Sequence, residues 1–313
     1  MIWSVSKSAM FKQCPRKWYY SQVMASRGIK NAERRQVYLL NQLQSAYAWR
    51  GNIVDKTISD YVVPFMNRNT CPNQHGVIAY AMQLMEKQLA FAKERTFANP
   101  ATTKTASGDK YCALYEIEYG KEINEELLES LRQEIKTALN NFLGSELIKE
   151  LTNSTAYLVT QRSLRFKYAD NSVTCTPDLI AFYDDKSPLI VDWKVHAFGI
   201  KQYWLQLGIY ALALSLVTPH RDFTNYNHSK IPTQTRLLEY QLLSNQQREY
   251  SLNDEDIIEL EDYMYQSIED MNRLVDGKKY GHVDMEKFRT AQSPSTCSRC
   301  NFRKVCWEDG GEA

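Results

Sequence analysis

Asp178, Asp192 and Lys194 are the residues whose types and spacing could do chemistry together. They lie in one stretch, Val173 to Val195, which reads VTCTPDLIAFYDDKSPLIVDWKV. Two apolar runs flank DDKSP, a cluster of turn formers, so the stretch is expected to form strand, turn, strand. Closed symmetrically about Lys186, the hairpin sets residues whose numbers sum to 372 opposite each other, so Asp178 faces Lys194 and Ile180 faces Asp192. Side chains alternate along a strand, which puts Asp178, Asp192 and Lys194 on one face and turns Leu189, Val191, Trp193 and Val195 toward a core. Charges at the edge of an apolar sheet lose hydration and need compensation. Hard oxygen ligands of this kind suit Mg²⁺ or Mn²⁺, with a phosphate completing the coordination shell. Such an ion acidifies a water and polarises a phosphoryl oxygen, while Lys194 could orient that water and offset charge building on the phosphate. An exposed hairpin with an Asp–Lys cross-strand pair is the alternative that the same residues allow.

A second set is made of thiols. Of seven cysteines, Cys297, Cys300 and Cys306 form C-x2-C-x5-C, whereas Cys71, Cys112 and Cys175 stand alone and read as inert. No apolar run approaches the roughly 18 residues that span a bilayer, and the first residues, MIWSVSKSAMFKQ, lack a signal-peptide core. The expectation is a cytoplasmic protein without a membrane partner, a setting that argues against a disulfide framework.

The chain of 313 residues, 43% hydrophobic and 24% charged, has an ordinary globular composition. Its net charge of +1 does not announce a nucleic-acid binder. The distribution is more telling. Residues 1 to 35 carry Lys7, Lys12, Arg16, Lys17, Arg27, Lys30, Arg34 and Arg35 against Glu33, and residues 278 to 304 carry seven Lys or Arg against Asp284 and Glu286. Two basic segments that meet in space would make a phosphate-tracking groove.

The elements that must position these residues follow from periodicity. A helix capped at Ser4 or Ser6 opens the chain, and a helical pattern runs from Gln36 to Met66. Residues 73 to 98 and 122 to 151 read as amphipathic helices, the second with Leu127, Leu128, Leu131, Ile135, Leu139 and Leu143 at helical spacing. Residues 60 to 150 are therefore expected to be a helical insertion, either plain structural helices or a cap that gates substrate. A strand over 157 to 170 should join the hairpin as three consecutive antiparallel strands. A strong helix follows at 197 to 217, then a strand at 235 to 243, then a helix capped at Asn253.

Pro177-Asp178 followed by Asp192-Trp193-Lys194 resembles the PD-(D/E)XK nuclease pattern, with Asp in the variable acid slot. Further phrases resemble the iron-sulfur branch of that superfamily, which includes RecB-like and AddB-type nuclease domains and CRISPR-associated iron-sulfur exonucleases. They are Cys14-Pro15-Arg16-Lys17-Trp18-Tyr19-Tyr20 near the start, Gln206 and Tyr210 as Gln-x-x-x-Tyr after the lysine strand, and the Cys297, Cys300, Cys306 triad. The order of these phrases along the chain carries the resemblance. It covers roughly residues 1 to 60 and 155 to 310.

The resemblance implies an α/β (α+β) restriction-endonuclease-like core, a mixed β-sheet flanked by helices. It implies one nuclease domain over 1 to 313, with the insertion at about 60 to 150 and a cysteine segment at about 290 to 310. Asp178, Asp192, Lys194, Gln206 and Tyr210 would be catalytic, and Asp55, Asp178 and Asp192 would hold Mg²⁺ or Mn²⁺. Asp55 stands where the branch has the His of a Gly-x-x-x-His step, here Gly51-Asn52-Ile53-Val54-Asp55. Read alone, Asp55 could equally be a surface residue, and Gln206 and Tyr210 could be core. Cys14 with Cys297, Cys300 and Cys306 would bind one 4Fe–4S cluster joining the chain ends, with zinc as the other occupant that four thiolates suit. The implied activity is that of a DNA exonuclease or end- and flap-processing nuclease preferring single strands, with helicase, recombination or CRISPR-adaptation proteins as partners. The other reading is a nucleic-acid-binding or assembly subunit with a structural cluster and little or no hydrolysis.

Overall fold

The computed structural model describes residues 1–155, 157–195, 204–217 and 231–307. Among the described residues, eight strands form two sheets. Strands β1 (Ile2–Trp3), β4 (Asn171–Cys175) and β3 (Leu164–Tyr168) make a three-stranded sheet in that order. The larger sheet has the order β2 (Tyr157–Thr160), β5 (Leu179–Phe182), β6 (Leu189–Lys194), β7 (Arg236–Gln241) and β8 (Gln246–Tyr250). Strands β6 and β7 are parallel and the other pairs of this sheet antiparallel, so the architecture is the mixed α/β one expected.

Two expectations about the strands are corrected. The stretch 157–170 splits into β2 and β3, and 173–183 splits into β4 and β5, each half joining a different sheet. The second split falls at Thr176-Pro177, where proline offers no backbone N–H to a ladder. The hairpin register also differs. Leu179 pairs with Val191, Ile180 with Ile190 and Ala181 with Leu189, so partner numbers sum to 370. Asp178 therefore stands across from Asp192 and not from Lys194. A slip of two residues preserves the alternation of faces, so the three side chains still share one. Between β3 and β4, Ala169 and Asp170 both adopt positive φ (43° and 58°), the geometry of a two-residue hairpin turn.

The large sheet is buried on both faces. Ile180, Ile190 and Leu237 look into one apolar cluster, shared with the small sheet, the helices Trp204–Leu216 and Asp254–Val275, and aromatic residues 18 to 20. Leu179, Ala181, Leu189, Val191, Trp193, Leu238 and Tyr240 look into a second cluster, filled by the helices Ala46–Thr57, Gln74–Lys93 and Glu125–Leu143. The helices between 60 and 150 thus cover a full face of the sheet. Trp193 packs edge-on against Phe142, with ring centroids 5.6 Å apart.

Helix boundaries follow their caps. Ser4 accepts the N–H of Lys7 and opens Val5–Gln13, and Asn253 with Asp256 forms a full capping box before Asp254–Val275. The pattern expected over 36 to 66 breaks, because Ser45 caps a new helix at Ala46. Likewise 122–151 divides at Gly144, where Ser145 caps Glu146–Ser154. Of the expected helix at 197–217, the portion before Trp204 lies outside the described residues. Among the described residues, no helix is long and apolar enough to cross a membrane.

Candidate active site

The carboxyl end of β6 gathers the side chains singled out by sequence. Asp192 is buried, with Lys194 paired to its Oδ2. Asp178, at the start of β5, accepts the backbone N–H of Trp193 at 3.0 Å through Oδ2. Helix Ala46–Thr57 brings Asp55 to the same place, where its Oδ1 accepts the indole N–H of Trp193 at 3.1 Å. Five residues earlier on that helix, Arg50 donates to the carbonyl of Val195 and pairs with Glu134, which fastens the end of β6. From above, helix Trp204–Leu216 presents Gln206, whose Nε2 donates to Asp192 Oδ1 at 3.0 Å and to the Tyr210 hydroxyl. Gly208 lets this helix lie close to its neighbour, since a Cβ there would stand 2.6 Å from Leu260 Cδ1. Six side chains that sequence placed in one group, Asp55, Asp178, Asp192, Lys194, Gln206 and Tyr210, thus meet at one end of the sheet.

One further residue joins this network without a motif, and a buried acid lies on the strand beside it. Gln161, in a left-handed turn (φ 50°) between β2 and β3, donates from Nε2 to Asp55 Oδ1 at 2.8 Å and to Asp178 Oδ1 at 3.1 Å. Glu239 is fully buried on β7 directly beside Asp192, and it accepts the Tyr250 hydroxyl at 2.7 Å and the Gln241 side-chain amide. Its signal in the sequence was a charge inside the apolar run LLEY.

The electrostatics are those of crowded, desolvated acids. Burial raises the Asp178 carboxyl well above the usual range, and the charges of Asp192 and Asp55 raise it further against the pull of Lys194 and the Trp193 N–H. Burial pushes Asp55 up to about 6, although the hydrogen bonds from Trp193 and Gln161 draw it down. The Tyr210 hydroxyl is raised by burial and by Asp192, so it stays a neutral donor. A divalent cation would relieve this crowding, and the oxygen-only donor set suits Mg²⁺ or Mn²⁺. Among the described residues, no three His, Cys, Asp or Glu side chains already stand at coordinating distance. Lys194 sits on Asp192, while Gln161 and Trp193 hold Asp55.

The cysteines fall into two environments. Cys14, Cys297, Cys300 and Cys306 all line one small cavity, with Lys17 and Arg303 on its wall. Cys14 Sγ caps helix Pro15–Tyr19 by accepting the Lys17 N–H at 3.4 Å, and Cys300 Sγ accepts the Phe302 N–H at 3.4 Å. By contrast Cys71 is exposed, Cys112 is buried with its thiol pushed up to about 12, and burial raises Cys175 further.

A family model described as the PD-(D/E)XK nuclease superfamily matches residues 2–307. None of the curated proteins matches the chain. Solved structures do, among them the crystal structure of SSO0001, 16% identical, covering 63% of this chain and 80% of that one at a TM-score of 0.28. A likeness that slight carries no argument.

Proposed function

The chain belongs to the PD-(D/E)XK nuclease superfamily, and from that premise we propose that it is a Mg²⁺- or Mn²⁺-dependent deoxyribonuclease that trims single-stranded DNA at ends or flaps. The observation that carries this reading is the meeting of Asp178 and Asp192 across the hairpin, with Lys194 on Asp192 and Gln206 reaching down to it. Asp178 and Asp192 would hold the ion and Asp55 would assist. When bound, the ion supplies a Lewis acid at a phosphoryl oxygen and a more acidic water. Lys194 positions the attacking water and offsets the charge that builds on the phosphate. Gln206 and Tyr210 keep neutral donors beside Asp192 and orient the substrate. Trp193 and Gln161 fix the rotamers of Asp55 and Asp178, which limits the reorganisation needed during reaction.

Cys14, Cys297, Cys300 and Cys306 form the cluster site in this reading, as one domain over 1 to 313 whose ends are joined by a 4Fe–4S centre. Their convergence on one cavity beside two cations, with backbone N–H groups on two sulfurs, supports it. Cys14→Ala should lose iron, brown colour and thermal stability, whereas Cys71→Ala should keep all three. A colourless wild-type protein that holds zinc would reassign the site.

The decisive experiment uses anaerobically purified protein with end-labelled single- and double-stranded DNA, with and without Mn²⁺. Mn²⁺-dependent shortening of the single strand is expected. Binding without cleavage of any strand under any of these conditions would leave a nucleic-acid-binding or assembly subunit, for which helicase, recombination or CRISPR-adaptation proteins would be the partners.

A further inference from the structure

A cleft of about 750 Å³ that shares no lining residue with the acid cluster lies between residues 1 to 34 and residues 272 to 280. Lys7 and Arg34 approach from the first basic segment, and Lys278 and Lys279 from the second. Among the described residues no Asp or Glu lines it. Lys7 is half-buried and donates to the Ile2 carbonyl at 3.0 Å, and burial, with Arg165 nearby, lowers its pKa. Arg34 is held by the Met24 carbonyl at 2.8 Å and stacks on the Tyr280 ring 4.1 Å from its centroid. Lys278 pairs with Asp276 at the exposed rim. Trp18 forms part of the wall. Four cations from the two basic segments line this cleft, and with no carboxylate among its lining residues it suits an anion.

We propose that this cleft is a nucleotide-phosphate site, placed to take the backbone of the DNA strand before it reaches the acid cluster. The proposal rests on the nucleic-acid substrate of the function proposed above. Its placement comes from a second cleft, of about 570 Å³, lined by Ser4, Ser6, Thr174, Thr176, Gln206 and Tyr210. The two clefts flank the first turn of helix Val5–Gln13. Ser4, Val5 and Ser6 border the one that contains Gln206 and Tyr210, and Lys7 borders the basic one. A strand held by phosphate in the basic cleft can cross that turn and arrive at Gln206 and Tyr210 along a wall of hydroxyls. Cations supply the affinity, and the uncharged hydroxyl-lined stretch lets the strand slide.

The test is binding in EDTA, where no hydrolysis occurs, using labelled oligothymidylate, short and long, with thymidine 5′-monophosphate as competitor. Lys278→Ala/Lys279→Ala changes two exposed side chains at no cost to the core, and Lys7→Gln tests the opposite wall. The double variant should bind the long strand about tenfold more weakly, and its log K against log salt slope should fall by about 1.4, two contacts at ~0.7 each. Equal losses for the long strand and the monophosphate assign the site to a free nucleotide or strand end. Loss for the long strand alone assigns it to the strand path. Unchanged affinity and slope for both ligands in both variants overturns the proposal. Mn²⁺-dependent cleavage is measured separately. A protein that cuts, but whose binding ignores these lysines, loses this site and keeps its nuclease reading. One whose binding needs them but that never cuts loses the nuclease reading and keeps the site.

Discussion

Each end of β6 carries a group of carboxylates, and the surroundings treat the two groups in opposite ways. At the Leu189 end, Glu150 accepts Arg236 Nη1 at 2.5 Å, the Tyr183 hydroxyl at 2.8 Å and Lys186 Nζ at 3.3 Å. Burial alone would raise that carboxyl, but the hydrogen bonds from Arg236 and Tyr183 outweigh it and hold it at about 2. At the Lys194 end, burial and mutual repulsion raise Asp178 and Asp55 despite Lys194. The first group is a closed ion network that needs nothing further. The second is an acid excess at the carboxyl ends of two parallel strands, where open α/β sheets place their ligands. Similar residue types thus serve as a fastener at one end and a receptor at the other, and the difference lies in how much charge the neighbours return.

The contrast can be broken by mutation. Asp192→Ala should abolish hydrolysis, by about a thousandfold or more, while DNA binding in EDTA persists or tightens because a negative charge has gone. Lys194→Ala should cost about a hundredfold or more in rate, with Mn²⁺ binding retained by calorimetry. Wild-type rates in both variants would move the active site elsewhere. Asp55→Ala should lose most activity and Asp55→His should keep part of it, since imidazole can also serve a metal, and indifference to both would make Asp55 a bystander. Gln161→Leu should weaken Mn²⁺ affinity about tenfold, read by titrating activity with Mn²⁺.

Acidity sharpens the same contrast. Asp55 at about 6, against its ordinary 3.8, stabilises the ion-free fold when protonated. That contribution is complete below pH 3.8 and is lost as pH rises through about 6. Mn²⁺ should therefore raise the melting temperature more at neutral pH than near pH 5, and Asp192→Asn should remove the increment. Glu150 runs the other way. Its contribution is present above 4.5 and disappears as pH falls through about 2. Glu150→Gln should cost about 1 kcal/mol or less at neutral pH, with the gap to wild type closing in acid and cleavage unaffected.

Much of this was legible in the sequence, and the failures have identifiable causes. Alternation in LIVDWKV assigned the faces of β6 correctly, because a period of two survives any even error in register. The register itself slipped by two because it is set by the geometry of the connection from Phe182 to Pro188, and turn-forming residues do not specify where pairing stops. The division of 157–183 between two sheets depends on Pro177 and on the turn at Gln161, which only tertiary packing gives a meaning. Gln161 escaped notice because its role comes from a left-handed backbone and from two carboxylates distant in sequence. Asp55 could be placed beside the hairpin by its motif position, but its partner Trp193 could not. That indole faces the opposite side of β6 from Asp192 and reaches Asp55 from there.

The closure of the chain on itself has a consequence in time. Trp3 donates its indole N–H to Ser267 and Ser8 meets the same hydroxyl, 264 and 259 residues along, while Arg16 donates to the Phe288 carbonyl. During synthesis at roughly 5–20 residues per second, the first segment leaves the ribosome some tens of seconds before its partners exist. Through that interval Trp3, Trp18, Tyr19 and Tyr20, all buried in the finished molecule, lack their partners from the later part of the chain, Phe288 and Phe302 among them. Long-range pairing of this kind slows folding, so this segment is among the last to be secured, and a chain interrupted before residue 267 would leave those four aromatic rings less covered.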